Sequence, residues 1–270
     1  MKAHLFGGLF FFSFALMRYG IAQLAITPMR TEATDASEMI NQVLFGEHFK
    51  VLEVRKKWSK IRLSHDKYEG WICNKQWQEI DKKTYTELDQ QTPTLTTDLL
   101  DVVKDEQLQP IVIGSTLPYF QNGTLKIGEN NYLLEGHTTE GFSEKSALVN
   151  NALMYLNAPY LWGGRGPLGI DCSGFTQMVY RLQGVELPRD AYQQAEIGTT
   201  MSFIEESEAG DLAFFDNAEG KIIHVGIILA DNYIIHASGK VRIDRLDQQG
   251  IFNAEERTHT HKLRLIKSVI

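Results

Sequence analysis

Hydrophobic positions fall into four successive patterns along the chain. The first is a continuous apolar run of 13 residues, Leu5 to Met17, behind a basic start at Lys2. That is short of the ~20 residues that cross a bilayer comfortably. Small residues follow at Gly20-Ile21-Ala22, ahead of Gln23. The arrangement predicts a cleaved secretory leader over 1–22, with a membrane anchor as the competing reading. No cysteine lies near the expected cut, which argues against a lipid-modified N-terminus.

The second pattern, over 23–81, consists of short β-like runs. Phe49 to Val54, Trp58 to Leu63 and Gly70 to Cys73 are parted by polar pairs such as Asp66-Lys67, as in a small barrel of short strands. The third pattern covers 82–143. It opens on a Thr- and Gln-rich stretch, 82–97, that reads as a connector, and then turns β-like again, with an apolar run from Pro110 to Gly114. Asn122-Gly123, between Tyr119-Phe120 and Leu125 to Ile127, predicts a tight hairpin turn, because both positions must accept positive φ. A second, divergent barrel is expected here.

From 144 onward the period becomes helical. Ser143 to Leu156 carries apolar residues at Ala147, Leu148, Ala152, Leu153 and Leu156, and the segment from Cys172 carries them at Phe175, Met178, Val179 and Leu182. Apolar strands follow at Lys221 to Leu229 and Tyr233 to Ser238. The fold class expected is therefore α+β over 144–270, preceded by two small all-β barrels.

Charge narrows the possible partners. The formal net charge is −7. Cleavage after Ala22 would remove Lys2 and Arg18 but no acidic residue, taking the charge to −9. Such a chain gains nothing from approaching nucleic acid or an anionic membrane, so neither is expected as a partner. Small peptides and uncharged glycans are easier partners. The chain has only two cysteines, Cys73 and Cys172. A disulfide between them is conceivable in an oxidising compartment, but their contexts differ. Cys73 lies in a β-like run where a small apolar residue would serve, whereas Cys172 lies in a charged, glycine-rich frame at a helix start.

That frame is Asp171-Cys172-Ser173-Gly174-Phe175. Asp171 stands where a cap belongs, so Cys172 falls in the first helical turn, near unpaired N–H groups and the positive end of the helix dipole. Both favour the thiolate that a nucleophilic cysteine needs, and the same N–H groups could hold an oxyanion. A buried, inert cysteine is the bland alternative. His224 sits alone in an apolar strand and would by itself read as a satisfied core residue. His236, on the next strand, changes that reading. The two rings share a face only if the intervening loop has an odd count or a bulge intervenes, so either a turn longer than Asp231-Asn232 or a bulge is expected. His224 could then take the thiol proton while His236 fixes its tautomer. One cysteine and two histidines could instead bind zinc, but no close-spaced ligand motif such as CxxC or HExxH is present. No cofactor is called for.

Two resemblances sharpen this reading. Ser37-Glu38-Met39-Ile40, Leu44-Phe45-Gly46-Glu47, Trp58-Ser59-Lys60-Ile61 and Gly70-Trp71-Ile72 resemble the bacterial SH3-type modules found beside cell-wall enzymes. Further on, five motifs occur in order. They are Pro159-Tyr160-Leu161-Trp162-Gly163-Gly164-Arg165, Gly169-Ile170-Asp171-Cys172-Ser173-Gly174-Phe175, Leu187-Pro188-Arg189-Asp190, Gly210-Asp211-Leu212-Ala213-Phe214-Phe215, and His224-Val225-Gly226 with His236-Ala237-Ser238. Over 144–270 the chain thus resembles the NlpC-type cell-wall cysteine peptidases, which have a papain-like fold. The resemblance implies Cys172 as nucleophile, His224 as base, His236 as third polar residue and Tyr160 beside the nucleophile. Arg189-Asp190-Ala191, together with the paired modules, is similar to the branch that cuts the γ-D-glutamyl bond to a diamino acid in murein peptides with a free N-terminal L-Ala. It implies Asp190 on the substrate amine, helped by Glu38 and Tyr68, with Asp171, Ser173, Ala191 and Trp162 lining the site. Secretion to the periplasm or beyond is expected with it, with no stable membrane insertion once the leader is removed. A wall-binding protein with a dead catalytic domain, and a same-fold amidase or acyltransferase, are the rival readings. The glycines at 163 and 164 are expected to let backbone approach the substrate.

Overall fold

The computed structural model describes residues 17–141 and 144–270. The first unit has seven strands: β1 (Arg18–Ala22), β2 (Ile26–Arg30), β3 (Met39–Leu44), β4 (His48–Val54), β5 (Trp58–Leu63), β6 (Glu69–Cys73) and β7 (Trp77–Ile80). They form one antiparallel sheet in the order β3-β2-β6-β5-β4-β1-β7. Alternate residues point inward, as the twofold period of a strand requires. Met29, Val43, Phe49, Val51, Ile61, Leu63 and Ile72 therefore meet in one core.

Strand β1 overlaps the last residues of the expected leader. Residues 18–22 form a strand paired on both sides, with β4 and β7. Tyr19, Ile21 and Ala22 are buried, and Arg18 holds Glu79 at 2.6 Å. A cut after Ala22 would remove a strand that lies between β4 and the edge strand β7. The rest of the apolar run, Leu5 to Leu16, lies outside the described residues.

The stretch expected to be a plain connector contains a helix, α1 (Lys82–Gln90), capped by Asp81, which accepts from the Thr84 N–H. Only Tyr85 and Leu88 on it are buried. Two apolar positions three apart are too few to show a helical period in sequence; burial against Tyr19, with ring centroids 4.5 Å apart, supplies the stabilisation. Next come β8 (Thr94–Thr96), β9 (Leu100–Lys104), β10 (Leu108–Val112), β11 (Thr124–Ile127), β12 (Asn130–Leu133) and β13 (Thr138–Glu140). They form a four-stranded sheet, β10-β9-β12-β11, and a β13-β8 pair. Asn122 and Gly123 both have positive φ, and Gln121 and Thr124 exchange two backbone hydrogen bonds around them. The expected turn therefore forms, although Tyr119-Phe120 before it is not a strand. This second unit shares a core with the first, Val103, Ile111, Leu125 and Tyr132 meeting Ile21, Phe45 and Ile80.

The third unit has helices α2 (Lys145–Met154), α3 (Cys172–Arg181) and α4 (Ala191–Gln194). A short β-pair, β14 (Arg165–Gly166) and β15 (Gly169–Ile170), precedes α3. The strands are β16 (Thr199–Met201), β17 (Leu212–Asp216), β18 (Ile222–Leu229), β19 (Tyr233–Ser238), β20 (Lys240–Asp247), β21 (Gly250–Asn253) and β22 (Thr258–Ser268). The sheet runs β16-β22-β17-β18-β19-β20-β21, and β21 also pairs with β22, so it curls back on itself. One face of β18 and β19 packs Val225, Ile227, Ile235 and Ala237 against Leu148, Phe175 and Val179 of the helices. The other face packs Ile228 and Ile234 against Phe215, Leu246 and Ile251. Burial on both faces explains why these strands read as nearly unbroken apolar runs.

Candidate active site

Cys172 opens α3. The Asp171 carboxylate caps the helix by accepting from Gly174 N–H at 2.7 Å and ties down the preceding loop by accepting from Gly163 N–H at 2.8 Å. Cys172 is nearly fully buried, and the N–H groups of Val225 and Ser173 act on its sulfur. Val225 directly follows His224, so the packing of α3 on β18 brings the thiol to the histidine strand. The thiol's charge state departs from the expectation drawn from the helix start. Burial pushes it up to about 12, with the Asp171 charge adding to the shift and the two N–H groups and Arg189 only partly opposing it. Desolvation outweighs the helix terminus here, so in the resting site the sulfur keeps its proton until a base removes it. Tyr160 lies close enough to feel the cysteine. Burial first, then Cys172 and Asp171, push its hydroxyl up to about 12, so it stays a donor.

The β18–β19 hairpin settles the face question. Gly226 pairs with His236 and Leu229 with Tyr233, leaving Ala230-Asp231-Asn232 as a three-residue turn. With an odd loop the two histidines share a face. His224 Nε2 lies 2.9 Å from His236 Nδ1. Gly226 makes room for this pair, since a Cβ there would stand 2.8 Å from the Cβ of His236.

Two partners of these rings carry no signal that sequence reasoning used. His236 Nε2 lies 3.0 Å from the Asp244 carboxylate, which Arg242 grips through Nε at 2.6 Å and a terminal nitrogen at 2.9 Å. His261 of β22 stacks on His224, with centroids 4.2 Å apart and planes 27° from parallel. The only trace of either in sequence is alternation, Arg242-Ile243-Asp244 and His259-Thr260-His261, which marks shared faces but not what they meet. No cluster of three or more metal-ligating side chains arranged to hold an ion occurs among the described residues.

Residues expected on the substrate side come together across the boundary with the first barrel. Tyr68 donates to the Asp190 carboxylate at 3.3 Å, and the Trp162 indole N–H donates to Glu38 at 2.7 Å. Burial raises the Asp190 carboxyl, with Arg189 and the Tyr68 hydrogen bond pulling the other way. Trp162 is 60 % exposed. Ser173 and Ala191 are buried instead. Ser173 Oγ accepts from Arg189 at 3.0 Å, and Ala191 packs into the main core. Arg189 is the hub that sequence reading passed over. It donates to both Asp171 oxygens and, through Nε at 2.8 Å, to Asn41 of β3. Gly163 meets the barrel rather than the substrate. Its φ is +76°, and a Cβ there would lie 2.5 Å from the Met39 carbonyl oxygen. Gly164 in turn backs onto the Gly169 carbonyl, where a Cβ would lie 2.4 Å away. Both glycines serve backbone packing, which replaces the expectation that they open a path to substrate.

The buried imidazoles predict a pH response. Burial, the largest cause, lowers His48 and His261 to about 4, and it lowers His224 and His236 as well. Unfolded histidines take up protons near pH 6.5, whereas these take them up only at lower pH once folded. The unfolded state therefore binds more protons between about pH 6.5 and 4, and stability falls as pH drops through that window. Each fully shifted histidine contributes a slope of up to ~1.4 kcal/mol per pH unit. The melting temperature should be flat above pH 7 and decline on acidification before the carboxylates titrate. An unchanged melting temperature between pH 7 and 5 would contradict the assignment of these rings as buried and neutral.

The closed antiparallel sheet thus carries a histidine pair on strands packed against the helix that opens with Cys172. Residues 157–259 match the NlpC/P60 family model, and residues 29–76 match the model of the bacterial dipeptidyl-peptidase Sh3 domain. The chain thus contains an NlpC/P60 domain preceded by a bacterial SH3 domain. It is 29 % identical to dipeptidyl-peptidase 6 of Lysinibacillus sphaericus, over 79 % of this chain and 86 % of that protein. It is 28 % identical to the γ-D-glutamyl-L-lysine dipeptidyl-peptidase of Bacillus subtilis, over 73 % of this chain and 71 % of that protein. The fold matches the crystal structure of an NlpC/P60 family protein from Bacillus cereus, with a TM-score of 0.77 at 19 % identity, over 93 % of this chain and 99 % of that one.

Proposed function

We propose that the protein is a cysteine endopeptidase that hydrolyses the γ-D-glutamyl–diamino acid bond of murein stem peptides with a free N-terminal L-Ala. We also infer that it acts after secretion, in the periplasm or outside the cell. One observation carries the substrate reading: Tyr68 and Glu38 of the first barrel reach Asp190 and Trp162 of the catalytic domain. In this reading the barrel closes one end of the substrate site, which suits a short peptide whose charged end stops there better than cross-linked wall. Relatives whose names specify γ-D-glutamyl-L-lysine dipeptidyl-peptidase support the same bond.

The proposed reaction runs through Cys172 and His224. His224 Nε2 is committed to His236, which leaves Nδ1 to take the Cys172 proton. The sulfur adds to the γ-carbonyl carbon, and the oxyanion is held by the Ser173 N–H with the Tyr160 hydroxyl beside it. Collapse of the adduct breaks the C–N bond, the amine leaves with the proton from His224, and water then cleaves the thioester with His224 again as base.

A free amine facing Asp190 would be paired in a half-buried site. Breaking one side of a buried pair costs about 3–5 kcal/mol. Since Asp190 is only half-buried, N-acetylation of L-Ala-γ-D-Glu-diaminopimelate should lower kcat/KM by at least ~10². Asp190→Asn should do the same to the free peptide and narrow the gap between the two substrates. If Asp190 only caps α4, Asn would serve equally and the variant would be silent. Equal rates of the wild type on free and acetylated peptides would refute free-amine recognition.

A further inference from the structure

The His236 ring is hydrogen-bonded at both nitrogens, and the chemistry of its two partners differs. On the Nε2 side stands Asp244, a carboxylate that can only accept while ionised. Arg242 clamps both of its oxygens, and the His236 contact at 3.0 Å is shared with the oxygen that takes Arg242 Nε. Burial pushes the Asp244 carboxyl up, but the hydrogen bonds from His236 and Arg242 outweigh it and the net shift is down. On the Nδ1 side stands His224, which in its neutral form can either donate or accept.

We propose that Asp244 is a positioning residue that fixes the tautomers of both histidines. Facing an acceptor-only carboxylate, neutral His236 must carry its proton on Nε2. Its Nδ1 is then a bare lone pair, so His224 must donate to it from Nε2. His224 therefore carries no proton on Nδ1, the nitrogen left to deprotonate Cys172. Without Asp244, His236 is free to carry the proton on Nδ1 and donate to His224. His224 would then hold its own proton on Nδ1, and a protonated Nδ1 cannot act as a base. The carboxylate thus selects the one of two hydrogen-bond directions in which the site works, and it also stabilises the imidazolium formed when the thiol proton moves onto His224. Arg242, anchored in turn near Glu255 at 3.6 Å, keeps the carboxylate ionised and aimed.

This inference rests on His224 being the base of the proposed reaction, but its first test needs no turnover. Long-range ¹⁵N–¹H spectra of the full chain near pH 7.5 distinguish histidine tautomers directly, and His224→Gln and His236→Gln variants assign the peaks. The wild type should show both His224 and His236 protonated on Nε2; a His236 protonated on Nδ1 would overturn the proposal. Asp244→Leu, similar in size but unable to accept, should give mixed tautomers and lower kcat at least ~10-fold, a conservative part of the ~10²–10⁴ that general-base catalysis contributes, while KM stays within about threefold. Asp244→Asn, which keeps one acceptor oxygen, should fall between the two. Unchanged tautomers and kcat in folded Asp244→Leu would overturn the proposal, and if that variant fails to fold, the wild-type and Asp244→Asn spectra still decide it. Retained turnover in Cys172→Ala would sink the peptidase reading instead, and leaves the tautomer result standing.

Discussion

Cys172→Ala should abolish peptide hydrolysis while leaving the fold intact. The substitution removes one sulfur atom from the first turn of α3, where alanine is the best helix former, and leaves the Asp171 cap and its bonds to Gly163, Gly174 and Arg189 untouched. Cys73 cannot substitute, because it lies on β6 of the first barrel. The check is release of the diamino acid from L-Ala-γ-D-Glu-diaminopimelate, followed by mass spectrometry, with near-ultraviolet circular dichroism as the fold control. His224→Ala should cost about 10²–10⁴ in rate, the usual share of general-base catalysis. His236→Ala should cost less, since His236 acts only through His224, and His236→Asn or Gln should recover part of that loss. The raised thiol makes the dependence on His224 steeper than a preformed thiolate would. Residual turnover well above background in Cys172→Ala would remove the nucleophile and with it the proposed reaction.

Arg165→Met is expected to destabilise the fold severely. The Arg165 side chain is fully buried, donates to both Glu47 oxygens at 2.9 Å, and donates to the Gln42 carbonyl at 2.8 Å. Burial alone pushes the Glu47 carboxyl up, yet Arg165, His65 and Arg181 hold it at about 2. Removing the arginine strands a buried carboxylate against Arg181 at 3.7 Å and His65 at 3.8 Å, neither of which reaches hydrogen-bond distance. Such one-sided losses cost about 3–5 kcal/mol. Replacing both partners, Arg165→Met with Glu47→Leu, should recover part of that loss, because the stranded carboxylate goes with its partner, while buried Arg181 loses the Glu47 charge beside it and keeps its bond to Thr116. Urea denaturation of the three proteins tests this, and a single-variant loss under about 1 kcal/mol would show that the pair is not the joint it looks like. The same joint holds the barrel that carries Glu38 and Tyr68, so folded Arg165→Met should also show a raised KM for the peptide with kcat less affected.

The chemistry was readable because it is local. Asp171-Cys172 at a helix start, apolar spacing from Phe175 to Leu182, and a histidine in each of two apolar strands are all short-range signals, and the parity of the loop between His224 and His236 follows from the twofold period of a strand. What sequence could not supply is every partner that arrives from another element. Asp244 reaches His236 through the β19–β20 register, and His261 reaches His224 only because β22 closes the sheet. Alternation in those strands marks a face but cannot say what lies opposite. The helix Lys82–Gln90 was hidden for a related reason, since two buried side chains on a polar segment form a helix only when Tyr19 is there to cover them. Strand Arg18–Ala22 reads in sequence like the end of a leader because small apolar residues look alike in a cleavage site and in a strand paired on both sides. The charge state of Cys172 was decided by tertiary structure as well. The sequence determined that a thiol stands at a helix N-terminus, which favours the thiolate, and only the packing of α3 under β18 and the Asp171 charge decided that desolvation would outweigh that preference and hand the proton to a base.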